Sequence, residues 1–281
     1  SFRRFAPVSD RDAKTREIAR ELRRRSRTHS NSIFELELSS LQILESRRCP
    51  GCARLAVEPA ARGITWHNLL HLCLSGMKVS DDCAIQIAQH CPNLTVLDLT
   101  GGEVCSPDAV AEMCALCPLI VHLELETASD HCILRLEKLK LQTLTVKYCA
   151  NMSDTSTEAI IVYFAETLTS LGLAHLSVRA QDEYLLMRHM TKLKRLEFGG
   201  EYLWRPTYLD ESFISYMSRI VTLSLISQRE YTQQELIDII TRRCTSLVHL
   251  RLTVPKGLSV SLTKMVKKCS QLRTLQLHFM N

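Results

Sequence analysis

One six-residue pattern, Leu-x-x-Leu-x-Leu, recurs ten times along this chain of 281 residues, with other apolar residues accepted at its two ends. The copies open at Ile33, Leu69, Leu94, Ile120, Leu141, Leu168, Leu193, Ile220, Leu247 and Leu272. Successive openings lie 36, 25, 26, 21, 27, 25, 27, 27 and 25 residues apart, so nine units share a period near 26 after one irregular step. A fixed period of this size is typical of an elongated array in which each unit packs against its neighbours.

A single unit contains a strand signal followed by a helix signal. Between Val96 and Thr100 leucines alternate with other residues, as in a strand with one buried face. Ser106, Pro107 and Asp108 then supply an N-cap, a proline at the first helical position and an acid in the first turn. These features predict an α/β leucine-rich-repeat solenoid of about ten repeats. We expect a horseshoe with a curved parallel sheet on its concave side and helices on its convex side.

Similar start signals predict a helix in most units. They are Ser80 before Asp81, Ser153 before Asp154, and the capping-box pair Thr232 and Glu235. The expected helices cover residues 81–90, 107–116, 154–166, 181–190, 210–218, 232–242 and 259–268. The unit that contains residues 131–140 is only 21 residues long, so we expect its helix to be a single turn.

Four of the twelve cysteines recur at one position of the repeat, three residues before its opening. They are Cys91, Cys117, Cys244 and Cys269. Because a repeated position implies a repeated packing site, we expect buried, unpaired thiols. Free thiols are typical of a reducing, intracellular compartment, which predicts the cytoplasm or nucleus and leaves the mitochondrion open.

The formal charge of +5 is concentrated at the N-terminus, where residues 1–27 hold ten basic and four acidic groups. We therefore divide the chain into a basic leader or helix (1–32) and a repeat domain (33–281), whose first part (33–68) is an irregular N-terminal cap. The densest basic group, a candidate anchor, consists of Arg20, Arg23, Arg24, Arg25 and Arg27. It is a solvated helix, a contact for an acidic protein or RNA, or a remnant of mitochondrial targeting.

Two stretches go beyond a generic repeat: VSDDCAIQIAQHCPNLTVLDLTG at 79–101 and LQTLTVKYCANMSD at 141–154. They resemble the cysteine-containing subfamily of leucine-rich repeats, over about residues 69–281. That resemblance implies a non-enzymatic, protein-binding scaffold similar to the substrate receptors of F-box ubiquitin ligases. Residues 1–32 lack the apolar three-helix segment of an F-box. The alternative is a structural or accessory subunit of a large mitochondrial or ribonucleoprotein assembly, anchored by its basic N-terminus.

The irregular first step contains a pattern with metal-ligand spacing. Cys49 and Cys52 are followed by His67 and His71, which is C-x2-C-x14-H-x3-H. Two thiolates on a Pro-Gly turn and two imidazoles suit tetrahedral zinc. A capping loop with ordinary buried thiols and a redox pair are the alternatives.

Other chemistry lacks a signal in the sequence. We find no nucleophile elbow, no phosphate-binding glycine loop and no metalloprotease helix motif, so we expect no catalytic site and no small-molecule substrate. No apolar run approaches the roughly 18 residues of a membrane span. The expected partners are proteins within a multi-subunit complex, with nucleic acid open through the leader.

The predicted concave face would present the residues that flank each inner leucine. Ten strands about 4.8 Å apart would span on the order of 45 Å, which suits a protein partner. Its charged candidates are Asp98, Glu124, Glu126, Lys147, Arg195, Glu197, His249 and Arg251. This face either binds a partner or is simply a solvated sheet.

An insertion at 199–209 is the second candidate contact, because it places four large side chains outside the repeat pattern. They are Tyr202, Trp204, Arg205 and Tyr208. Such residues dominate interface hot spots. The loop either binds a partner or folds back on the convex helices.

Overall fold

The computed structural model describes ten segments of the chain: 43–45, 66–76, 79–101, 105–174, 189–200, 218–227, 237–238, 240–242, 244–254 and 259–279. The ten strands are β1 (Ile43–Glu45), β2 (His71–Cys73), β3 (Val96–Leu99), β4 (His122–Ser129), β5 (Thr143–Asn151), β6 (Ser170–Ala174), β7 (Arg195–Gly200), β8 (Thr222–Ser227), β9 (His249–Val254) and β10 (Thr274–Phe279). Five helices are bounded within these segments: α1 (Asp81–His90), α2 (Pro107–Leu116), α3 (Asp130–Leu134), α4 (Asp154–Phe164) and α5 (Ser259–Lys268).

The strands form one parallel sheet whose spatial order is their order in the chain, from β1 to β10. The register follows the repeat, because Leu72 pairs with Leu97 and Leu97 pairs with Leu123. A one-residue slip would turn these leucines toward the other face, so the buried row sets the register. The chain is therefore an α/β solenoid of strand-and-helix units.

Each unit is joined to the next by the same backbone contact just before the strand. The carbonyl of Leu70 accepts the amides of Thr95 and Val96 at 2.8 and 3.0 Å, and the carbonyl of Thr95 accepts those of Val121 and His122 at 2.9 and 3.1 Å. The arrangement recurs through Arg273, which donates to Val248 at 2.8 Å. This repeated pair of hydrogen bonds satisfies the backbone where the chain enters each strand.

The core lies between the sheet and the helices. The strand leucines Leu97 and Leu99 are fully buried, and they share one apolar cluster with Ala84 and Ile87 of α1. Trp66 is 2% exposed and belongs to the same cluster at its N-terminal end. Since the apolar side chains of both layers point into this cluster, the residues between the leucines must lie on the opposite face of the sheet.

The first unit differs from its prediction. The strand that pairs with β2 begins at Ile43, and the register Ile43 to His71 makes Leu41 the equivalent of Leu69. By this register the first step of the array is 28 residues rather than 36, and the strand beside β2 is not the copy of the pattern that opens at Ile33. The pattern missed this strand because Ser46 stands where the final leucine of the motif would be.

The helix predictions agree closely with the described segments. The bounds of α1, α2 and α5 are those predicted, α4 ends two residues earlier than expected, and α3 is the expected short turn of five residues. Ser106 and Ser153 act as N-caps, since their hydroxyls accept the amides of Ala109 and Thr155. Ser80 makes no such side-chain bond. The helices predicted at 181–190, 210–218 and 232–242 fall wholly or partly outside the described residues.

The helix starts of neighbouring units are linked by carboxylates. Asp81 of α1 accepts the amide and hydroxyl of Ser106 at 2.6 and 2.7 Å. Asp130 of α3 likewise accepts the amide and hydroxyl of Ser153 at 2.8 and 2.6 Å, and also the hydroxyl of Ser156. We call these contacts the helix-start ladder. They hold the N-cap serine of one helix against the first residue of the helix before it.

The recurring thiols occupy the sites expected of them. Cys91, Cys117, Cys244 and Cys269 are buried and free. The Cys117 thiol lies 3.3 Å from the carbonyl of Cys91, and the Cys269 thiol lies 3.9 Å from that of Ile240. Burial raises the pKa of Cys91, Cys117 and Cys244 to about 12. These side chains are packing groups between a helix end and the next strand.

Candidate functional site

The sheet face opposite the helices, here called the strand face, carries three rows of side chains. The first row is His71, Val96, His122, Thr143, Ser170, Arg195, Thr222, His249 and Thr274. The middle row is Cys73, Asp98, Glu124, Thr145, Gly172, Glu197, Ser224, Arg251 and Gln276. The third row consists of the residue after the last apolar position of each motif, from Ser75, which follows Leu74, to His278, which follows Leu277. All eight charged residues predicted for the concave face belong to these rows.

Asp98 is occupied by contacts within its own sheet. One carboxylate oxygen accepts the backbone amide and the hydroxyl of Thr100 at 2.9 and 2.7 Å. The other oxygen accepts the thiol of Cys73 at 3.1 Å. Asp98 therefore connects β2 to the turn after β3, and its acceptor capacity is largely used inside the protein.

Glu126 has a similar structural role. Its carboxylate accepts the backbone amide of Gly101, and it lies 3.9 Å from the ammonium of Lys147. Gly101 has a φ of +78°, a conformation in which glycine is preferred because it has no Cβ. Glu126 thus supports a left-handed turn in the preceding unit while pairing with a lysine in the following one.

Histidine and threonine pair across strands at two places in the first row. Nδ1 of His122 lies 3.0 Å from the hydroxyl of Thr143, and Nδ1 of His249 lies 3.1 Å from that of Thr274. Burial lowers the pKa of His122, and the neighbouring His71 lowers it further. The electrically neutral form of His122 is therefore favoured on this part of the strand face.

Glu197 lies among charged groups contributed by several strands. Burial raises the pKa of its carboxyl and Glu124 raises it further, while Arg251, Lys147 and Arg195 act in the opposite direction. The net pKa lies above its ordinary value. The five residues, on β4, β5, β7 and β9, thus form one electrostatic cluster.

Glycine at the neighbouring position leaves room beside Glu197. Gly172 pairs with both Thr145 and Glu197 in the middle row. A Cβ added at Gly172 would lie 3.1 Å from Cγ2 of Thr145, which is a crowded contact. The absence of a side chain therefore lowers the centre of the strand face between Thr145 and Glu197.

On the other side of Glu197, the middle row continues to Ser224 and Arg251. Nε of Arg251 donates to Nε2 of His278 at 2.9 Å, which orients the guanidinium along the face. Ser224 is 7% exposed, and its hydroxyl has no hydrogen-bond partner among the described residues. We call Arg195, Glu197, Ser224, His249 and Arg251 the basic half of the strand face.

Tyr148 is an exposed residue of the sheet that sequence reasoning missed. β5 continues beyond its inner leucine to Asn151, and its pairing with β4 is irregular between Thr127 and Ser129. Both Lys147 and Tyr148 are accessible there, and 48% of Tyr148 is exposed. Strict alternation places Tyr148 on the same side of the sheet as the buried Leu144 and Val146, yet Tyr148 and its partner Thr127 are both exposed, and the register shifts only beyond this pair. The extra strand residues after Val146 were the available signal.

Other predicted site residues lie outside the described segments. These are the loop residues Tyr202, Trp204, Arg205 and Tyr208, the anchor arginines Arg20, Arg23, Arg24, Arg25 and Arg27, and the thiols Cys49 and Cys52. Of the zinc pattern, His67 and His71 are described, and both are exposed. Within the described segments no cluster of three or more His, Cys, Asp or Glu side chains is arranged to hold a metal ion.

In the same segments no helix has the length and apolarity needed to cross a membrane.

Comparison with known proteins identifies the fold. A chain in the crystal structure of the yeast Rad7 and Elc1 complex has a similar structure, with a TM-score of 0.57 and 13% sequence identity. The similarity covers 97% of this chain and 74% of that chain. No protein-family model matches this sequence. No curated protein matches it either. The likeness is therefore one of fold.

Proposed function

We propose that this protein is a non-enzymatic scaffold that binds a protein partner through the strand face. The observation that carries the proposal is the row of polar and charged side chains across the nine strands β2–β10, which includes the cluster around Glu197. Ten strands provide a surface on the order of 45 Å long, large enough for a protein domain.

We further propose that the scaffold is a substrate-recognition module of a ubiquitin ligase in a reducing intracellular compartment. The resemblance of residues 69–281 to the cysteine-containing repeats of F-box receptors supports this assignment. The fold likeness to a chain solved in the Rad7 and Elc1 complex adds support, since that structure is itself a protein assembly. The ten described cysteines are free, in agreement with a reducing compartment.

Site-specific photocrosslinking tests which face binds. A photoreactive phenylalanine analogue would replace His71 or His249, both exposed on the strand face, and in a control variant Val162, which is 76% exposed on α4. We expect partner crosslinks from the two strand-face positions and few from Val162. Crosslinks obtained mainly from Val162 would refute the proposed binding face.

The identity of the recovered proteins tests the role. A cullin adaptor in the native complex would support the ubiquitin-ligase assignment. Stable co-migration with a large mitochondrial or ribonucleoprotein assembly would instead support a structural subunit, as the basic leader suggests. Either result is compatible with a protein-binding strand face, so the role and the face are tested separately.

A further inference from the structure

Buried polar side chains on the strand face generally have partners, and Ser224 is an exception. Cys73, Thr100 and Thr143 are all at most 8% exposed, and each makes a cross-strand or local hydrogen bond: Cys73 and Thr100 to Asp98, and Thr143 to His122. Ser224 is equally buried at 7%, yet its hydroxyl has no partner in the described segments. A buried hydroxyl without a hydrogen bond destabilises the folded protein. This makes Ser224 a candidate for a bond to another molecule.

The charges around Ser224 favour an anionic partner group. Register places Glu197 on one side of Ser224 and Arg251 on the other, with Arg195 and His249 in the adjoining row. On the described strand face, β7–β10 carry two arginines against one glutamate, whereas β2–β5 carry three carboxylates against one lysine. The described charged residues on these strands therefore give a net positive charge near Ser224 even when His249 and His278 are neutral.

The available donors also favour an anion. Nε of Arg251 is engaged with His278 at 2.9 Å, and its two terminal nitrogens make no hydrogen bond to described residues. A guanidinium held at Nε presents its other donors in a fixed plane, which suits the two oxygens of a carboxylate. On β3 and β4, by contrast, the carboxylates of Asp98 and Glu126 already accept hydrogen bonds from within the protein. The basic half thus has donors that no described residue uses, whereas Asp98 and Glu126 are engaged within the sheet.

We propose that the basic half of the strand face binds an aspartate or glutamate side chain of the partner protein, which accepts hydrogen bonds from the Ser224 hydroxyl and the Arg251 guanidinium. Arg195 and His249 supply the surrounding positive field. Glu197 opposes binding electrostatically, and its raised pKa lessens that opposition as pH falls toward its pKa. This inference rests on the proposed function, because it names the chemistry of the partner segment.

Positional-scanning peptide pools on the immobilised full chain test it. Each pool carries one fixed residue, Asp, Glu, Asn, Gln, Lys, Arg or phosphoserine, in an otherwise random peptide. We expect the Asp and Glu pools to exceed the Asn and Gln pools by about tenfold at low salt, the effect of one charge-assisted pair. The preference should weaken as salt screens the charges.

Three variants locate the preference. Arg251→Gln should abolish it, and Ser224→Ala should reduce it by about fivefold. Ser75→Ala is the matched control, because it makes the same chemical change at a strand-face hydroxyl that already has a partner, Thr100 at 3.2 Å. Ser75→Ala should leave the acid preference unchanged.

Thermal unfolding separates a binding role of Ser224 from a structural one. Because no described residue bonds to the Ser224 hydroxyl, Ser224→Ala should keep or raise the Tm while weakening acid-pool binding. A fall in Tm together with binding would mean that Ser224 is structural and would overturn the inference.

The remaining outcomes are decisive as well. Preference for Lys or Arg pools, or no discrimination between acid and amide, would overturn the inference. A tenfold preference for phosphoserine over Glu would replace the carboxylate with a phosphate as the ligand and would also overturn it. Strand-face crosslinks with no acid preference would leave the proposed function standing. Crosslinks only from Val162 would remove both.

Discussion

Replacing Asp130 by Asn tests whether the helix-start ladder stabilises the array. The Asp130 carboxylate accepts the amide of Ser153 at 2.8 Å, its hydroxyl at 2.6 Å, and the hydroxyl of Ser156. An amide keeps one acceptor oxygen and turns the other acceptor position into a donor. Asp130→Asn should therefore lose at least one of these bonds and weaken the others.

The expected loss follows from the number and setting of these bonds. A hydrogen bond to a charged group contributes about 1.5–3 kcal/mol when well shielded, and partial exposure reduces this toward about 1 kcal/mol. With two of three bonds lost or weakened, the variant should be less stable by about 2 kcal/mol at pH 7. For a chain of this size, that corresponds to a fall in Tm of roughly 4–8 °C.

The loss should depend on pH with a definite sign. Partial burial alone would raise the pKa of Asp130, but the hydrogen bonds from Ser153 and Ser156 outweigh it, so the folded pKa lies below the ordinary value. The stabilisation is therefore fully present above the unfolded pKa of about 3.9 and is lost as pH falls through the folded pKa. Urea unfolding should show a constant difference between wild type and variant from pH 5 to 8 that closes below about pH 4.

Asp154 supplies the matched control. It is the first residue of α4, as Asp130 is of α3, but it is exposed and accepts no hydrogen bond from the described residues. Asp154→Asn should lose only the helix-dipole interaction, about 0.3–1 kcal/mol. Equal destabilisation by the two substitutions, or a difference for Asp130→Asn that does not change with pH, would refute the ladder.

Three other predictions follow from the core, the strand face and the thiols. Leu97→Ala, at a fully buried position between Leu72 and Leu123, should lower the free energy of unfolding by about 2–5 kcal/mol in urea titrations; a loss below about 1 kcal/mol would contradict close packing there. Glu197→Gln should stabilise the protein more at pH 7 than at pH 4, because a raised folded pKa means that stability is lost as pH rises through it; the check is unfolding midpoints across that range, and a constant difference would contradict the raised pKa. Of the ten described cysteines, Cys83 is the least buried and should react first with a thiol reagent, while the nine buried thiols react only on unfolding; rapid labelling of those nine, identified by mass spectrometry, would contradict their packing role.

The periodic part of the fold was predictable because burial repeats with the motif. The bounds of α1 and α2 were predicted from the serines that precede them, Ser80 and Ser106, and those of α5 from its place in the repeat. The strand beside β2 was misplaced because Ser46 stands where its motif would have the final leucine, so the pattern selected the copy that opens at Ile33 instead. The polar Ser46 hides this strand from a search for the motif, but it does not prevent Ile43 from pairing with His71.

The candidate site was predictable only as a set of outward-facing residues. Alternation identified Asp98, Glu126 and Arg251 as strand-face positions, but it carried no information on which acids are engaged by neighbours. The contacts of Asp98 with Cys73 and of Glu126 with Gly101 join residues that are 25 positions apart in the chain, so they depend on how neighbouring strands pack. Ser224 was visible as a small polar residue, and only its burial without a partner distinguishes it. Tyr148 was missed because alternation assigns it to the side of the buried Val146, whereas at the end of the strand this side is exposed.

The repeated backbone contact before each strand has a mechanical consequence. Because each carbonyl in this series bonds to the next unit, a pulling force applied along the array acts equally on every contact between units, and the weakest contact breaks first. Under such tension the units would separate one at a time. Each release would add on the order of 80–90 Å of extended chain, the length of about 26 residues. The protein would therefore lengthen in steps of about one repeat each.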